Sequence, residues 1–308
     1  MTERRFDGRV AVITGAGRGL GREYALLLAS KGAKIVVNDI GASMAGGDAS
    51  TGPAEEVVNE IKAAGGEAVA SVDSVATPEG GAAIIQKAID TYGRIDILIH
   101  NAGNVRYGAL STISQEDFRA VVDVHFLGGF NVVRPAFELM CKAGYGRIIL
   151  TSSIGGLYGM NNVVNYGMSK AGMIGLNNVA ALEGAEHNVK CNAIVPGAVT
   201  RMADGLDTSF YPPMGPELVA PVVGLLAHES CPVTGEMLVA IAGRVARAYV
   251  VETEGVYQPD WTIDQVAERM DEIRDPAHLW TLHPAEHGHT DHIVRSCEMA
   301  RKGGATSA

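Results

Sequence analysis

The sequence predicts an α/β chain built on a doubly wound parallel sheet of about seven strands, with a short helical C-terminal extension. Three observations carry that prediction. Short apolar runs alternate with segments of helical period, the beat of a parallel sheet with crossover helices on both faces. A glycine-rich turn, T-G-A-G-R-G-L-G, separates the first such run from the first helix. The run Ile95 to Ile99 is almost wholly apolar, as a strand buried on both faces must be.

In chain order, Val10 to Ile13 is the first strand, and behind the glycines Tyr24, Leu27 and Leu28 recur at helical spacing. Gly15, Gly19 and Gly21 let the backbone turn tightly and approach a pyrophosphate, which then lies at the positive end of the helix. The spacing is G-x-x-x-G-x-G, and a bare turn without a ligand is the competing reading. Ala33 to Asn38 is the second strand and delivers Asp39 about twenty residues beyond the glycines, where a carboxylate takes the adenosine ribose hydroxyls and repels a 2′-phosphate. This favours NAD over NADP. Arg18 argues the other way, because a guanidinium neutralises that phosphate, and a plain strand-end turn is the alternative for Asp39.

Gly41 to Gly52 is longer than a tight loop needs and reads as a surface excursion. A helix from Pro53 through Lys62, a strand from Ala68 to Val72 ending at Asp73-Ser74, and a helix opened by Pro78 and running towards Tyr92 follow. The strand Ile95 to Ile99 ends in H-N-A-G. Ser114 is placed to cap a long helix, with Asp117 in its first turn, that carries Phe118, Val121, His125, Phe126 and Phe130. Arg147 to Leu150 feeds Thr151-Ser152-Ser153, Val189 to Val195 closes on P-G-A-V-T, and Met237 to Ile241 is expected to be the last strand. The loop Ser209 to Pro216, with Phe210, Tyr211 and Met214, is apolar enough to cover a substrate.

The segment from Ser153 to Lys170 carries the chemistry. Tyr166 and Lys170 are four apart, on one face of a helix one turn from each other. An ammonium beside a phenol favours the phenolate, so the pair can move a proton near neutral pH. Ser153 supplies a second hydroxyl for the same oxygen. Tyr-x-x-x-Lys alone is more often a solvated helix face, and the neighbouring motifs shift the weighting.

Composition excludes other classes. A net charge of -10 opposes a nucleic-acid-binding surface. No run approaches about 18 uninterrupted apolar residues, and M-T-E-R-R-F-D-G-R lacks the apolar core of a signal peptide, so we expect no membrane association and a cytoplasmic location. Cys141, Cys191, Cys231 and Cys297 show no C-x-x-C spacing and read as reduced packing residues. In the tail, Thr262 with Gln265 forms a capping box, and Ile263, Val266, Met270 and Ile273 make one apolar stripe that should dock on its own subunit or a partner. His278, His283, His287, His289 and His292 with Asp291 have side chains suited to zinc or nickel, but nothing fixes a geometry and no metal site is assigned. Residues 1–250 are expected to form the dinucleotide-binding domain, with a substrate loop at 201–216. Residues 251–308 are expected to form the extension, with a helix near 262–274 and a histidine-rich tail.

With T-G-A-G-R-G-L-G, Asp39, Asn101-Ala102-Gly103, Ser153, Tyr166, Lys170 and the P-G-A-V-T ending at Thr200 all in family order, the chain resembles the short-chain dehydrogenase/reductase family from about Asp7 to Gly243. The resemblance implies a Rossmann sheet, Tyr166 as general acid/base, Lys170 lowering its pKa and holding the nicotinamide ribose, and Ser153 orienting the substrate oxygen. It implies cofactor contacts from Gly15, Arg18, Gly19, Leu20 and Asp39, from Asp73 and Ser74 at the adenine, from Asn101, Ala102 and Gly103, and from Pro196, Gly197, Val199 and Thr200 at the nicotinamide amide. Within the family, V-V-N-D-I-G, D-V-H-F-L-G-G-F, Y-G-R-I-I-L-T-S-S and P-E-L-V-A-P-V-V-G-L-L-A-H-E-S-C are similar to the (3R)-hydroxyacyl-CoA dehydrogenase domain of peroxisomal multifunctional enzymes.

Two positions depart from the family pattern. His125 stands where most members have an asparagine that supports a water path to the lysine; a supporting catalytic role and a satisfied core histidine both remain open. His100 replaces the first residue of N-N-A-G, and a hydrogen-bonded structural role is expected. The implied function is NAD-dependent interconversion of a secondary alcohol and a ketone, on a (3R)-hydroxyacyl-CoA, by a homodimer or homotetramer. Arg106, Arg201, Arg244 and Arg247 are candidate CoA phosphate partners. A secondary-alcohol or hydroxysteroid dehydrogenase, or a non-catalytic NAD-binding protein, are the alternatives.

Overall fold

The computed structural model describes residues 3–41, 52–200 and 211–305, in two compact units, Met1–Arg247 and Ala248–Ala308. The first is organised by one sheet. Strands β1 (Val10–Thr14), β2 (Lys34–Asn38), β3 (Glu67–Ser71), β4 (Ile97–His100), β5 (Gly146–Thr151), β6 (Val189–Gly197) and β7 (Met237–Ile241) pair in parallel in the order β3-β2-β1-β4-β5-β6-β7. The chain winds outward from β1 in one direction and from β4 in the other, so the carboxyl ends of β1 and β4 form a crevice at the switch point.

The sequence expectation of about seven strands is corrected to eight. Arg244–Ala248 forms β8 beside β7, after a turn of only Ala242 and Gly243. Both turn residues have positive φ, +49° and +79°, the backbone of a two-residue hairpin. Alanine at the first position hid the turn, because the usual signal there is Asn or Asp before Gly.

Helices cover both faces. On one, α1 (Gly19–Ser30), α2 (Gly52–Ala63) and a helix at Ala220–Ala227 bury Tyr24, Leu28, Val57, Ile61, Val223 and Leu226 against Ala11, Ile13, Ile35 and Val37. The other face takes α3 (Pro78–Tyr92), capped by Thr77, and the long segment after Ser114, whose hydroxyl accepts the Asp117 N–H at 3.0 Å. That segment is not one helix, as the sequence suggested. It runs as α4 (Gln115–Val122), a π-helical turn (Asp123–Leu127) and α5 (Gly128–Ala143), and the Gly128 N–H reaches back to the Asp123 carbonyl. α6 (Ile154–Tyr158) and α7 (Val164–Gly184) complete this side.

In the second unit, β9 (Glu252–Thr253) pairs antiparallel with β10 (Leu279–Trp280). The capping box at Thr262 and Gln265 is present, but the expected helix is split into Ile263–Glu268 and Met270–Ile273. The histidine-rich stretch leads into a helix, Gly288–Ala305, on which His292 pairs with Glu252 at 2.8 Å. Among the described residues no group of three or more His, Cys, Asp or Glu is arranged to hold a metal ion, and no helix is long and apolar enough to cross a membrane.

Candidate active site

The glycine turn leaves β1 with Gly15 at φ +64° and enters α1 with Gly19 at φ +54°, conformations that a side chain would strain. Arg18, exposed and extended, precedes the helix without a side-chain cap, so its side chain does not occupy the first N–H groups of α1, the kind of helix start that can receive an anion. Leu20 packs back onto the core. Asp39, at the end of β2, accepts the Gly17 N–H at 2.9 Å on one oxygen and the Gly41 N–H at 2.8 Å on the other, which leaves lone pairs of both oxygens for ribose hydroxyls. A Cβ at Gly17 would meet the Asp39 carboxylate at 2.8 Å, so this cradle tolerates no side chain. These features fit a nicotinamide dinucleotide.

Asp73 and Ser74 lie one strand further out. The Asp73 carboxylate accepts the Ser71 hydroxyl at 3.0 Å, and the Ser74 hydroxyl accepts the Ala76 N–H at 3.2 Å. Asn101 spends its side chain on the glycine turn, donating to the carbonyls of Thr14 (3.3 Å) and Gly15 (3.0 Å). Its backbone N–H and that of Ala102 both donate to the Thr14 hydroxyl, at 3.0 and 3.1 Å. Thr14 is therefore a bracing residue that sequence reasoning missed. The legible signal was a hydroxyl at the end of an apolar strand, next to the first glycine. Gly103 lies against the His125 ring, where a Cβ would come within 3.0 Å of Nε2. Across the crevice, Pro196 and Gly197 end β6 beside Ala240 and Ile241, the Val199 N–H donates to the Met214 carbonyl at 2.7 Å, and the Thr200 methyl lies 3.4 Å from the space a Cβ on Gly19 would fill.

Ser153 caps α6, accepting the Gly155 N–H at 3.1 Å, and α7 begins one short turn later. A Cβ built on Gly155 would stand 3.6 Å from Ser153 Oγ and 3.6 Å from the Tyr166 ring, so the two side chains lie about one point beside this glycine. Lys170 is buried, donates to the Thr151 carbonyl at 2.7 Å and lies 5.6 Å from the Tyr166 ring centroid. Burial pushes the ammonium down to about 7. Burial also raises the Tyr166 phenol, against the lowering effect of the Ser153 hydroxyl. In the chain alone, burial thus outweighs the charge effect expected from the Tyr-x-x-x-Lys spacing.

His125 is buried on the π-helical turn, edge-on to Tyr166 at 5.3 Å between ring centroids. Its Nε2 lies 2.8 Å from the Asn104 carbonyl and 3.0 Å from the Asn104 N–H nitrogen, and Nδ1 has no partner among the described residues. Burial, then the Lys170 charge, hold its pKa well below the ordinary histidine value. Of the arginines considered for CoA, Arg106 pairs with Asp117 (3.4 Å), Arg247 with Glu236 (3.3 Å) and Arg244 is exposed. Arg201, Phe210 and most of the 201–216 loop lie outside the described residues, as does most of the Gly41 to Gly52 excursion.

The family model described as short chain dehydrogenase matches residues 9–208. Peroxisomal multifunctional enzyme type 2 of Drosophila melanogaster is 50% identical over 252 residues, which cover 82% of this chain and 42% of that enzyme, so the chain spans less than half its relative's length. A putative short-chain type dehydrogenase/reductase of Mycobacterium tuberculosis is 43% identical over 87% of this chain and 94% of its own length. The crystal structure of a short chain dehydrogenase from Mycobacterium avium superposes with a TM-score of 0.76 at 40% identity, covering 88% of this chain and 98% of the other. The chain therefore belongs to the short-chain dehydrogenase/reductase family and is an oxidoreductase.

Proposed function

We propose that this oxidoreductase uses NAD to interconvert a secondary alcohol and a ketone on a (3R)-hydroxyacyl-CoA thioester. The observation that carries the reaction is the grouping of Ser153 and Tyr166 about Gly155, with Lys170 one helical turn further on. Asp39, held by two backbone N–H groups beside the glycine turn, supports NAD over NADP. The four stretches shared with hydroxyacyl-CoA dehydrogenase domains support the thioester.

Bound NAD would supply the acceptor for the carbinol hydride. Tyr166 accepts the alcohol proton, and the Lys170 ammonium is the positive charge that offsets the phenolate during transfer. Ser153 holds the substrate oxygen from its other side, and His125 fixes the plane of the Tyr166 ring by edge contact. Tyr211, half exposed, and Met214 stand on the remaining described part of the substrate loop.

Initial rates of NAD reduction with (3R)- and (3S)-hydroxyacyl-CoA, free secondary alcohols and hydroxysteroids test the reading, with NADP as control. A rate confined to (3R)-thioesters is expected. Turnover of free alcohols or steroids alone would remove CoA recognition and keep the Tyr166 chemistry. Tyr166→Phe should lower kcat by at least about a hundredfold, the usual scale of general acid/base catalysis, while NAD still binds. Retained turnover would remove Tyr166 as the acid/base.

The same proposal includes a homodimer or homotetramer. Met168, Val179 and Leu182 on α7, with Leu127 at the end of the π-helical turn and Phe130 in the first turn of α5, are exposed apolar residues of the kind that a second subunit covers. A cytoplasmic location is also proposed, although the fly relative is named peroxisomal; cell fractionation separates the two.

A further inference from the structure

We propose that His100 is a positioning residue that ties the glycine turn to the π-helical turn carrying His125, so that one imidazole sets the geometry of both the cofactor seat and the ring packed on Tyr166. This rests on the reading of those two places as the NAD site and the acid/base site.

His100 is the last residue of β4, in register with Thr14 of β1 at the switch point, and is 1% exposed. Its Nε2 lies 3.1 Å from the His125 carbonyl oxygen, and its Nδ1 lies 3.1 Å from the Thr14 hydroxyl. A carbonyl can only accept, so Nε2 carries the proton and Nδ1 is the acceptor. The Thr14 hydroxyl must then donate to Nδ1, and its oxygen stays free to accept the Asn101 and Ala102 N–H groups. Every member of the chain is satisfied in one direction only, and only by the neutral Nε2–H tautomer. Burial keeps the ring in that neutral form, moving its pKa down to about 4.

The two ends of this chain meet the two halves of the site. At one end Asn101 holds the Thr14 and Gly15 carbonyls. At the other, His125 stands edge-on to Tyr166. A buried ring with two polar atoms is costlier than a leucine of similar size unless both atoms are used, and here both are.

The amide analogues separate the two ends. In His100→Asn an oxygen can stand in for Nδ1 towards Thr14, and in His100→Gln a nitrogen can stand in for Nε2 towards His125. His100→Leu removes both. Losing either contact should cost about tenfold, the scale of one buried hydrogen bond. We expect His100→Asn to keep the NAD dissociation constant and lose kcat, His100→Gln to do the reverse, and His100→Leu to lose both. Ile99→Val, a cavity on the neighbouring apolar residue, should lower thermal stability without that split. Equal losses in both amide variants, or none in any, would overturn the proposal.

Imidazole 15N spectra give a readout independent of turnover. His100 should show the Nε2–H tautomer with no titration between pH 5 and 8, and the His125 signals should shift in His100→Leu but not in His100→Gln. The opposite tautomer, or unmoved His125 signals, would overturn it. If the parent binds NAD but turns nothing over, the functional reading fails, and the spectra with the NAD affinities still decide the role of His100.

Discussion

Lys170 shows at the residue scale how a proposed function and stability oppose each other. Its ammonium is buried against the Thr151 carbonyl, and burial moves its pKa from 10.5 to about 7. Between those values the unfolded chain binds a proton that the folded chain does not, so this residue lowers folding stability as pH falls from 10.5 through 7, and the full cost stands below 7. Lys170→Met should therefore be more stable than the parent near neutral pH, by something on the order of a few kcal/mol less the lost hydrogen bond. The difference should shrink as pH rises towards 10.5. Calorimetric Tm values of both chains at pH 6.5, 8 and 9.5 check this; a pH-independent difference would mean that the buried group is not titrating. Tyr166, Lys170, Ser153 and Asp39 could be nominated from the sequence because residue type and spacing alone single them out. The Thr14 and His100 chain was only half legible, since the partners of a buried polar atom are set by strands 86 residues apart in sequence.

At the scale of elements, sequence patterns placed seven strands and most helices within a few residues, because an apolar run bounded by turn residues is a direct imprint of burial. They missed breaks that leave no compositional mark. The π-helical turn at Asp123–Leu127 lies within a run of helical period, and its His125 carbonyl meets the His100 ring at the end of β4. The β7-β8 hairpin was missed because Ala242 sits at φ +49°, a conformation that costs alanine about 1 kcal/mol or more. Ala242→Gly should raise the unfolding free energy by about 1 kcal/mol, read from urea midpoints at constant m value. A loss of stability would show that the turn is not held in this conformation.

Across the first unit, the sheet divides its labour between its ends. The carboxyl ends of the strands hold the glycine turn, Ser153 and the Thr151 carbonyl that receives Lys170. At the opposite end Arg147, buried in β5, donates to the carbonyls of Gly146 (2.7 Å), Asn188 (2.9 Å), Glu229 (3.1 Å) and His228 (3.3 Å) and lies over the Tyr145 ring. One planar fork thus fastens three stretches of chain. A lysine there has a single nitrogen and cannot replace it. Arg147→Lys should cost about 2–4 kcal/mol of stability and leave kcat/KM nearly unchanged, measured by denaturant unfolding and initial rates. A matching loss of kcat/KM would show that the two ends are coupled.

The eighth strand changes what the sheet presents to other molecules. β7 alone would have offered a bare row of amides and carbonyls continuous with the buried centre. β8 takes that row with its own backbone, so the hydrogen-bonding groups of β7 are used within the sheet. The hairpin that sequence patterns overlooked thus removes the edge of β7 as a template on which another strand could add.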